Sequence, residues 1–386
     1  MSGQEQQYIQ EAFDTNWVVP LGPNVNAFEQ ELKAYTGNEE VEVVALSSGT
    51  AAIHLALVAL GIQPGDEVMV QSFTFCASAN PVKYVGAVPV LVDSEPDTWN
   101  MDPVLLDEAI ADRIRVTGRK PKAIIPVALY GMPPKMDEIM AVAGKYGIPV
   151  VEDTAEALGS YYKGRFCGTL GRFGVMSFNG NKMITTSGGG ALICPDLETK
   201  QRVMYFATQA RQPFPYYQHT EIGYNYRMSN ICAGIGRGQM TVVREHVEHH
   251  RHVARLYQQL LAEVPGVKVH WAPSEEFDSN YWLTTVVLDA DVKVREVVDN
   301  HRPHTDCEPN PNVMALAAGL DKAGIESRPL WKPLHLHPVF ADSPRYVNGI
   351  SEALFQVGLC LPSGPMVSDE EVRYIIDTIK ELIIRQ

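Results

Sequence analysis

Between residues 41 and 151 the chain repeats one pattern: a short apolar run, a helix-length stretch, then another apolar run. Residues 41–46, 67–73, 88–93, 123–130 and 148–151 read as buried strands, rich in Val, Ile and Phe. Helices are expected between them, opening at residue 48 and over 75–84, 103–114 and 136–146. Parallel neighbours need a crossover connection of this length, so the alternation selects an α/β chain with a mostly parallel sheet and helices on both faces. Functional groups in such sheets gather beyond the carboxyl ends of the strands. Two stretches fall there: Ser47-Ser48-Gly49-Thr50, which opens a helix, and Glu152-Asp153.

At 386 residues the chain exceeds what one core supports, so a second, smaller unit is expected. A helix-forming stretch over 229–264 reads as the connector, and short strands alternate with helices beyond it. The expected division is a large domain with an N-terminal arm over 1–240 and a small α/β domain over 241–386. Residues 292–311 are polar and proline-bearing and read as a loop, whereas Ser368 to Glu371 forms a capping box for a terminal amphipathic helix. The net charge of −14 argues against nucleic-acid or anionic-membrane partners. The 6 cysteines form no CxxC pair, which fits neither a zinc site nor a disulfide framework. With no signal peptide and no apolar run long enough to span a bilayer, a cytoplasmic protein is expected.

The chemical centre of the sequence is the run from Val175 to Gly190. A strand ending in Ser177-Phe178 breaks into Asn179-Gly180-Asn181, delivers Lys182, and re-enters strand after three glycines. Lysine is rarely buried without a partner. An amine kept partly dry has a lowered pKa and attacks carbonyls. A loop lysine beside a glycine turn fits the same residues, and the stretch alone leaves both readings open. Ser47 to Thr50 likewise fits a phosphate site or a plain N-cap. Asp153 could cap the segment after it or accept a proton from a ligand's ring nitrogen. His246, His249 and His250 share a helical face, but without carboxylate or cysteine neighbours they read as a solvated cluster; no metal is expected. The stretch from Arg328 to His337 joins Arg, Lys and His in the way anion or sugar recognition uses them.

Six ordered stretches resemble the DegT/DnrJ/EryC1/StrS family of pyridoxal-phosphate sugar aminotransferases. They are Ser47 to Ala52, Ser72 to Phe75, Glu152 to Ala157, Ser177 to Gly190, Gly223 to Arg227, and Arg328 to His335. The strand that leads the family's sheet has no counterpart ahead of Met1, which points to a shortened start. The resemblance implies the aspartate-aminotransferase fold, fold type I, and a homodimer with shared active sites. Carried over, it makes Lys182 the residue that binds pyridoxal 5'-phosphate covalently and Asp153 the partner of the ring nitrogen. Phe75 would stack on the ring. Gly49, Thr50, the Ala51 N–H and the Ser177 hydroxyl would hold the phosphate, with Asn225 reaching it from the partner subunit. Glu156 falls near the ring's 3-oxygen, where relatives carry His or Gln; a glutamate there must be protonated to donate, or contact the substrate instead. Relatives that dehydrate the sugar have histidine at the lysine position, so Lys182 implies transamination, with L-glutamate as donor.

Within the family, Asn179 to Gly190, Thr208 to Arg211 and Arg328 to Lys332 look most like 4-aminotransferases of the UDP-N,N′-diacetylbacillosamine pathway. The implied acceptor is a UDP-4-keto-6-deoxy-N-acetylhexosamine, with Asn181, Arg211, Arg328 and His335 as candidate substrate contacts. The nearest alternative is the same chemistry on a GDP- or dTDP-linked keto-deoxy sugar. A non-catalytic ligand sensor of the same fold would not need Lys182, Asp153 and Thr50 together. A nucleotide-binding oxidoreductase is disfavoured because Gly188-Gly189-Gly190 continues to Ile193 where a GxGxxG motif needs glycine, and it precedes a strand.

Overall fold

The computed structural model describes residues 1–295 and 308–384. Its main sheet runs, edge to edge, Arg345–Tyr346, Val88–Val92, Glu67–Gln71, Ala123–Ile125, Val151–Asp153, Phe173–Ser177, Gly190–Cys194, Glu42–Leu46. Two parallel bridges, Ile124 to Val150 and Val127 to Asp153, join its halves. Among the described residues of this sheet, Gly190–Cys194 alone runs against its neighbours.

Alternation along each strand divides the side chains between cores. Val44 and Leu46 join Val68, Val70 and the helix Gly49–Ala59 in one cluster. Val43 and Ala45 join Ile193, Met176 and the helix Pro23–Thr36 in another. Met69, Val90 and Ile124 pack with the helices Pro103–Thr117 and Met136–Tyr146 in a third. Strands buried on both faces read as continuous apolar runs, which is why the alternation was legible. Local chemistry sets the helix ends: Asp102 accepts from the N–H groups of Val104 and Leu105, Pro103 opens the helix, and Gly118 closes it at φ 69°.

The C-terminal part builds an antiparallel sheet in the order Val267–Val269, Thr284–Leu288, Gly358–Leu361, Arg328–Pro329. The helices Pro311–Lys322 and Asp369–Leu382 cover it, the latter with the expected capping box at Ser368 and Glu371.

Several expectations change. The connector is two helices, Asn230–Met240 and Val243–Leu261, because Thr241 and Val242 break the run. Val243 and Val247 pack in the core that holds Met183 and Ile184, whereas Val253, Tyr257 and Leu261 belong to the C-terminal core. Residues 75–84 form a 3-10 turn, Cys76–Ser78, and a short helix, Asn80–Tyr84. Glu152 and Asp153 are the last residues of their strand. The expected loop at 292–311 lies largely outside the described residues. The histidines are not a solvated cluster: His250 is buried, and desolvation pulls it down to about 4. His249 Nε2 contacts the Val367 carbonyl at 3.0 Å. No group of His, Cys, Asp or Glu among the described residues could hold a metal. No helix among them is long and apolar enough to cross a membrane.

Candidate active site

The run from Phe178 to Gly189 connects two antiparallel strands. Phe178 N–H donates to the Gly189 carbonyl at 2.9 Å, Thr186 N–H donates back to the Phe178 carbonyl at 3.0 Å, and Lys182 N–H turns onto the Asn179 carbonyl at 2.9 Å. Trp282 pins the loop from the C-terminal side by donating its indole N–H to the Asn181 carbonyl at 2.8 Å. The glycine at 190 is required by close approach: a Cβ there would lie 2.4 Å from the Gly49 nitrogen. That absence lets the returning strand pass against the start of the helix Gly49–Ala59, and so brings helix and lysine loop to one cleft.

The cleft has a volume of 760 Å³. Of the candidates, Gly49, Thr50, Phe75, Asp153, Glu156, Ser177, Asn181, Lys182 and Arg328 line it. Lys182 Nζ lies 3.2 Å from Glu156 Oε1, with side chains 12% and 4% exposed. The same ammonium sits over the Trp282 ring, 4.0 Å from its centroid. In the same cleft Asp153 Oδ2 accepts from the Ser78 hydroxyl at 2.6 Å, and Oδ1 accepts from Ala155 N–H at 3.2 Å. Asp153 therefore caps only a turn, since no helix follows it. Burial pushes the Asp153 carboxyl up, opposed by the Ser78 hydroxyl, the Ala155 N–H and the Lys182 charge. Burial also raises Glu156, against the Lys182 charge and the Tyr130 N–H. Both Glu156 oxygens act as acceptors here, Oε2 taking the Tyr130 N–H at 2.7 Å.

Four candidates fall elsewhere. The Ala51 N–H is taken by the Ser48 hydroxyl at 3.0 Å, so within this chain it serves as a capping donor. His335 is buried, with Nδ1 at 2.7 Å from the Ser72 hydroxyl and Nε2 at 2.9 Å from Glu352. Both ring nitrogens are spent inside the fold, which corrects its reading as a substrate contact. Arg211 stacks on Tyr217 at the surface, 4.5 Å from the ring centroid, outside the cleft of its own chain. Asn225 is exposed and also outside it. Sequence reasoning missed Ser78, Trp282 and Trp331. Trp282 lies 100 residues beyond the lysine it covers, so no local pattern marks it.

These residues fit pyridoxal phosphate. The first turn of the helix at Gly49 offers N–H groups without intrahelical partners, beside the hydroxyls of Thr50 and Ser177, where a phosphate would sit. A buried carboxylate and a single cleft lysine match the group's ring nitrogen and its carbonyl.

Fold and site together define a pyridoxal-phosphate-dependent aminotransferase of fold type I. Family models narrow this further. Residues 1–380 match the DegT/DnrJ/EryC1/StrS aminotransferase family, and the chain belongs to it. EpsN of Bacillus subtilis is 46% identical over 99% of this chain and 94% of its own. The GDP-perosamine synthase of Escherichia coli O157:H7 is 36% identical over 99% of this chain and 96% of its own. Among solved structures, a family member from Brucella abortus superposes with a TM-score of 0.86 at 30% identity, covering 98% of this chain and 95% of that one. Spr1654 of Streptococcus pneumoniae, in its PLP form, gives 0.87 at 27%, over 99% and 96%. The chain is a sugar aminotransferase.

Proposed function

We propose that the chain transfers the amino group of L-glutamate to C4 of a UDP-4-keto-6-deoxy-N-acetylhexosamine. The observation that carries the chemistry is the Lys182 ammonium, held between Glu156 and Trp282 in a cleft that also holds the buried Asp153 and is wide enough for a nucleotide sugar. Pyridoxal phosphate, when bound, supplies a carbonyl that takes up nitrogen and a ring that accepts the electron pair released at the substrate carbon. Asp153 would keep the ring nitrogen protonated through a charge-assisted hydrogen bond. Phe75 would cover one ring face, and Gly49, Thr50 and Ser177 would hold the phosphate. Freed from its covalent role, Lys182 Nζ would carry the proton to and from the substrate carbon. Glu156 would hold that amine in place, and Asn181 and Arg328 would face the nucleotide sugar. The UDP assignment is supported by the Asn-Gly-Asn-Lys and Thr-Thr-Ser-Gly-Gly-Gly runs.

The working unit in this reading is a homodimer with domains at 1–240 and 241–386. Exposed Tyr84, Tyr216, Tyr217 and Ile222 support a covered face, and Asn225 would reach the partner's cofactor. Five free cysteines among the described residues support a reducing, cytoplasmic setting.

A GDP-linked acceptor is the second reading, favoured by the GDP-perosamine synthases among the relatives. One single-turnover experiment separates the two. The cofactor-loaded protein is first treated with glutamate, then offered UDP- and GDP-linked 4-keto-6-deoxy sugars separately. Return of the visible absorption with the UDP-N-acetyl sugar supports the proposal, and return with the GDP sugar alone transfers the assignment. No change on adding glutamate would sink the aminotransferase step itself.

A further inference from the structure

Tyr130 is buried behind the cleft wall and touches both halves of the site. Its backbone has φ 54° and ψ 18°, the left-handed region, which a bulky side chain keeps only where its surroundings hold it there. Its N–H donates to Glu156 Oε2 at 2.7 Å, and the other oxygen of that carboxylate meets Lys182. Its phenol oxygen accepts the Trp331 N–H at 2.9 Å, across 201 positions of sequence. Trp331 lines the cleft and tilts against both the Tyr130 ring, at 5.0 Å between centroids, and the Phe75 ring, at 5.6 Å. Three residues before it stands Arg328, carried on the short strand Arg328–Pro329 at the cleft rim. One side chain therefore ties the lysine's carboxylate partner to the rim segment of the C-terminal sheet.

We propose that Tyr130 is a positioning residue that holds the 326–331 rim in register with the Lys182–Glu156 pair, and thereby selects for productive binding of the nucleotide sugar over the amino donor. The reason is size. Glutamate reaches the amine without needing the rim, whereas a nucleotide sugar must span from Lys182 to the rim to present its carbonyl. A rim that drifts by a fraction of an ångström penalises only the longer substrate. This inference rests on the nucleotide-sugar reading above.

The test is Tyr130→Phe in the full-length, cofactor-loaded chain, with the two half-reactions measured separately. The phenyl ring keeps the packing and the backbone N–H to Glu156, and removes the hydroxyl that accepts from Trp331 and also meets the Cys360 thiol. The sugar half-reaction should fall about tenfold further than the glutamate half-reaction, through KM more than kcat, about what one lost hydrogen bond is worth. Calorimetric titration of UDP-N-acetylglucosamine into the cofactor-free chain should weaken by a similar factor, with pyridoxal phosphate affinity retained. Equal losses in both half-reactions, or no loss in either, overturn the proposal. Should Tyr130→Phe fail to fold, hydrogen exchange at the Trp331 amide of the unaltered chain decides: slow exchange, slowed further by UDP-N-acetylglucosamine but not glutamate, supports the role, and fast exchange refutes it. An unaltered chain that responds to glutamate but to no keto sugar would instead defeat the proposed function.

Discussion

Two buried ion pairs in this protein use the same chemistry to opposite ends. Glu29 and Arg227 are 5% and 6% exposed and paired through Oε1 and Nη1. Further polar partners surround them. Glu29 accepts the Ala45 N–H at 2.8 Å, Arg227 donates to the Ala45 carbonyl at 2.8 Å, and Lys200 stands 3.6 Å from Glu29. Lys182 and Glu156 are nearly as buried but open to a cleft, and the ammonium has an aromatic face where a second carboxylate could have been. The saturated pair fixes the outer strand and helix to each other. The half-satisfied pair holds an amine that a substrate can still reach. Saturation, more than burial, separates a structural ion pair from a reactive one.

The sharpest way to break this contrast is Lys182→Ala. Transamination should fall by more than about 10³-fold, the scale of a lost proton-transfer group, and borohydride should no longer fix the cofactor to the chain. The fold should survive, as judged by circular dichroism. Glu29→Ala should do the reverse. It strands the Arg227 charge, which costs about 3–5 kcal/mol in denaturant unfolding, while activity per folded molecule stays near normal. If Glu29→Ala proved neutral in stability, the saturated pair would not be holding the fold.

Asp153 sharpens the comparison from a third direction. Its folded pKa is raised, so its ionised form costs the cofactor-free chain stability, and that cost appears as pH rises from the ordinary carboxylate range through the raised folded value. Asp153→Asn should therefore melt higher than the unaltered chain at neutral pH without cofactor, and the advantage should vanish in acid. Its activity should be lost, because a neutral amide does not hold a ring proton. The smallest effect is expected from Glu156→Gln. The amide oxygen still takes the Tyr130 N–H, so activity should drop only about tenfold, and the decline on the acid side of the rate profile should weaken.

Much of this was legible without coordinates. The strands at 42–46, 67–71 and 88–92 appeared as uninterrupted apolar runs because both of their faces are covered. Lys182 and Asp153 stood out because each is a charge placed next to a strand that has no room for solvent. His335 misled, for the pairing that spends it involves Ser72 and Glu352, distant in sequence. The broken connector misled too, since nothing in the composition of Thr241-Val242 forbids helix.

The α/β class follows from local periodicity along the chain, whereas the cofactor and the role proposed for Lys182 follow from the resemblance that its ordered motifs carry. Which charges are saturated and which are left open depends on contacts between elements far apart in the chain. Trp282 over the ammonium, Ser78 under the carboxylate and Tyr130 between lysine and rim come from three separate elements. Hydrogen bonds and ring contacts act over a few ångströms, and it is the closing of the sheet and the docking of the C-terminal segment that bring residues this far apart in the chain within that reach.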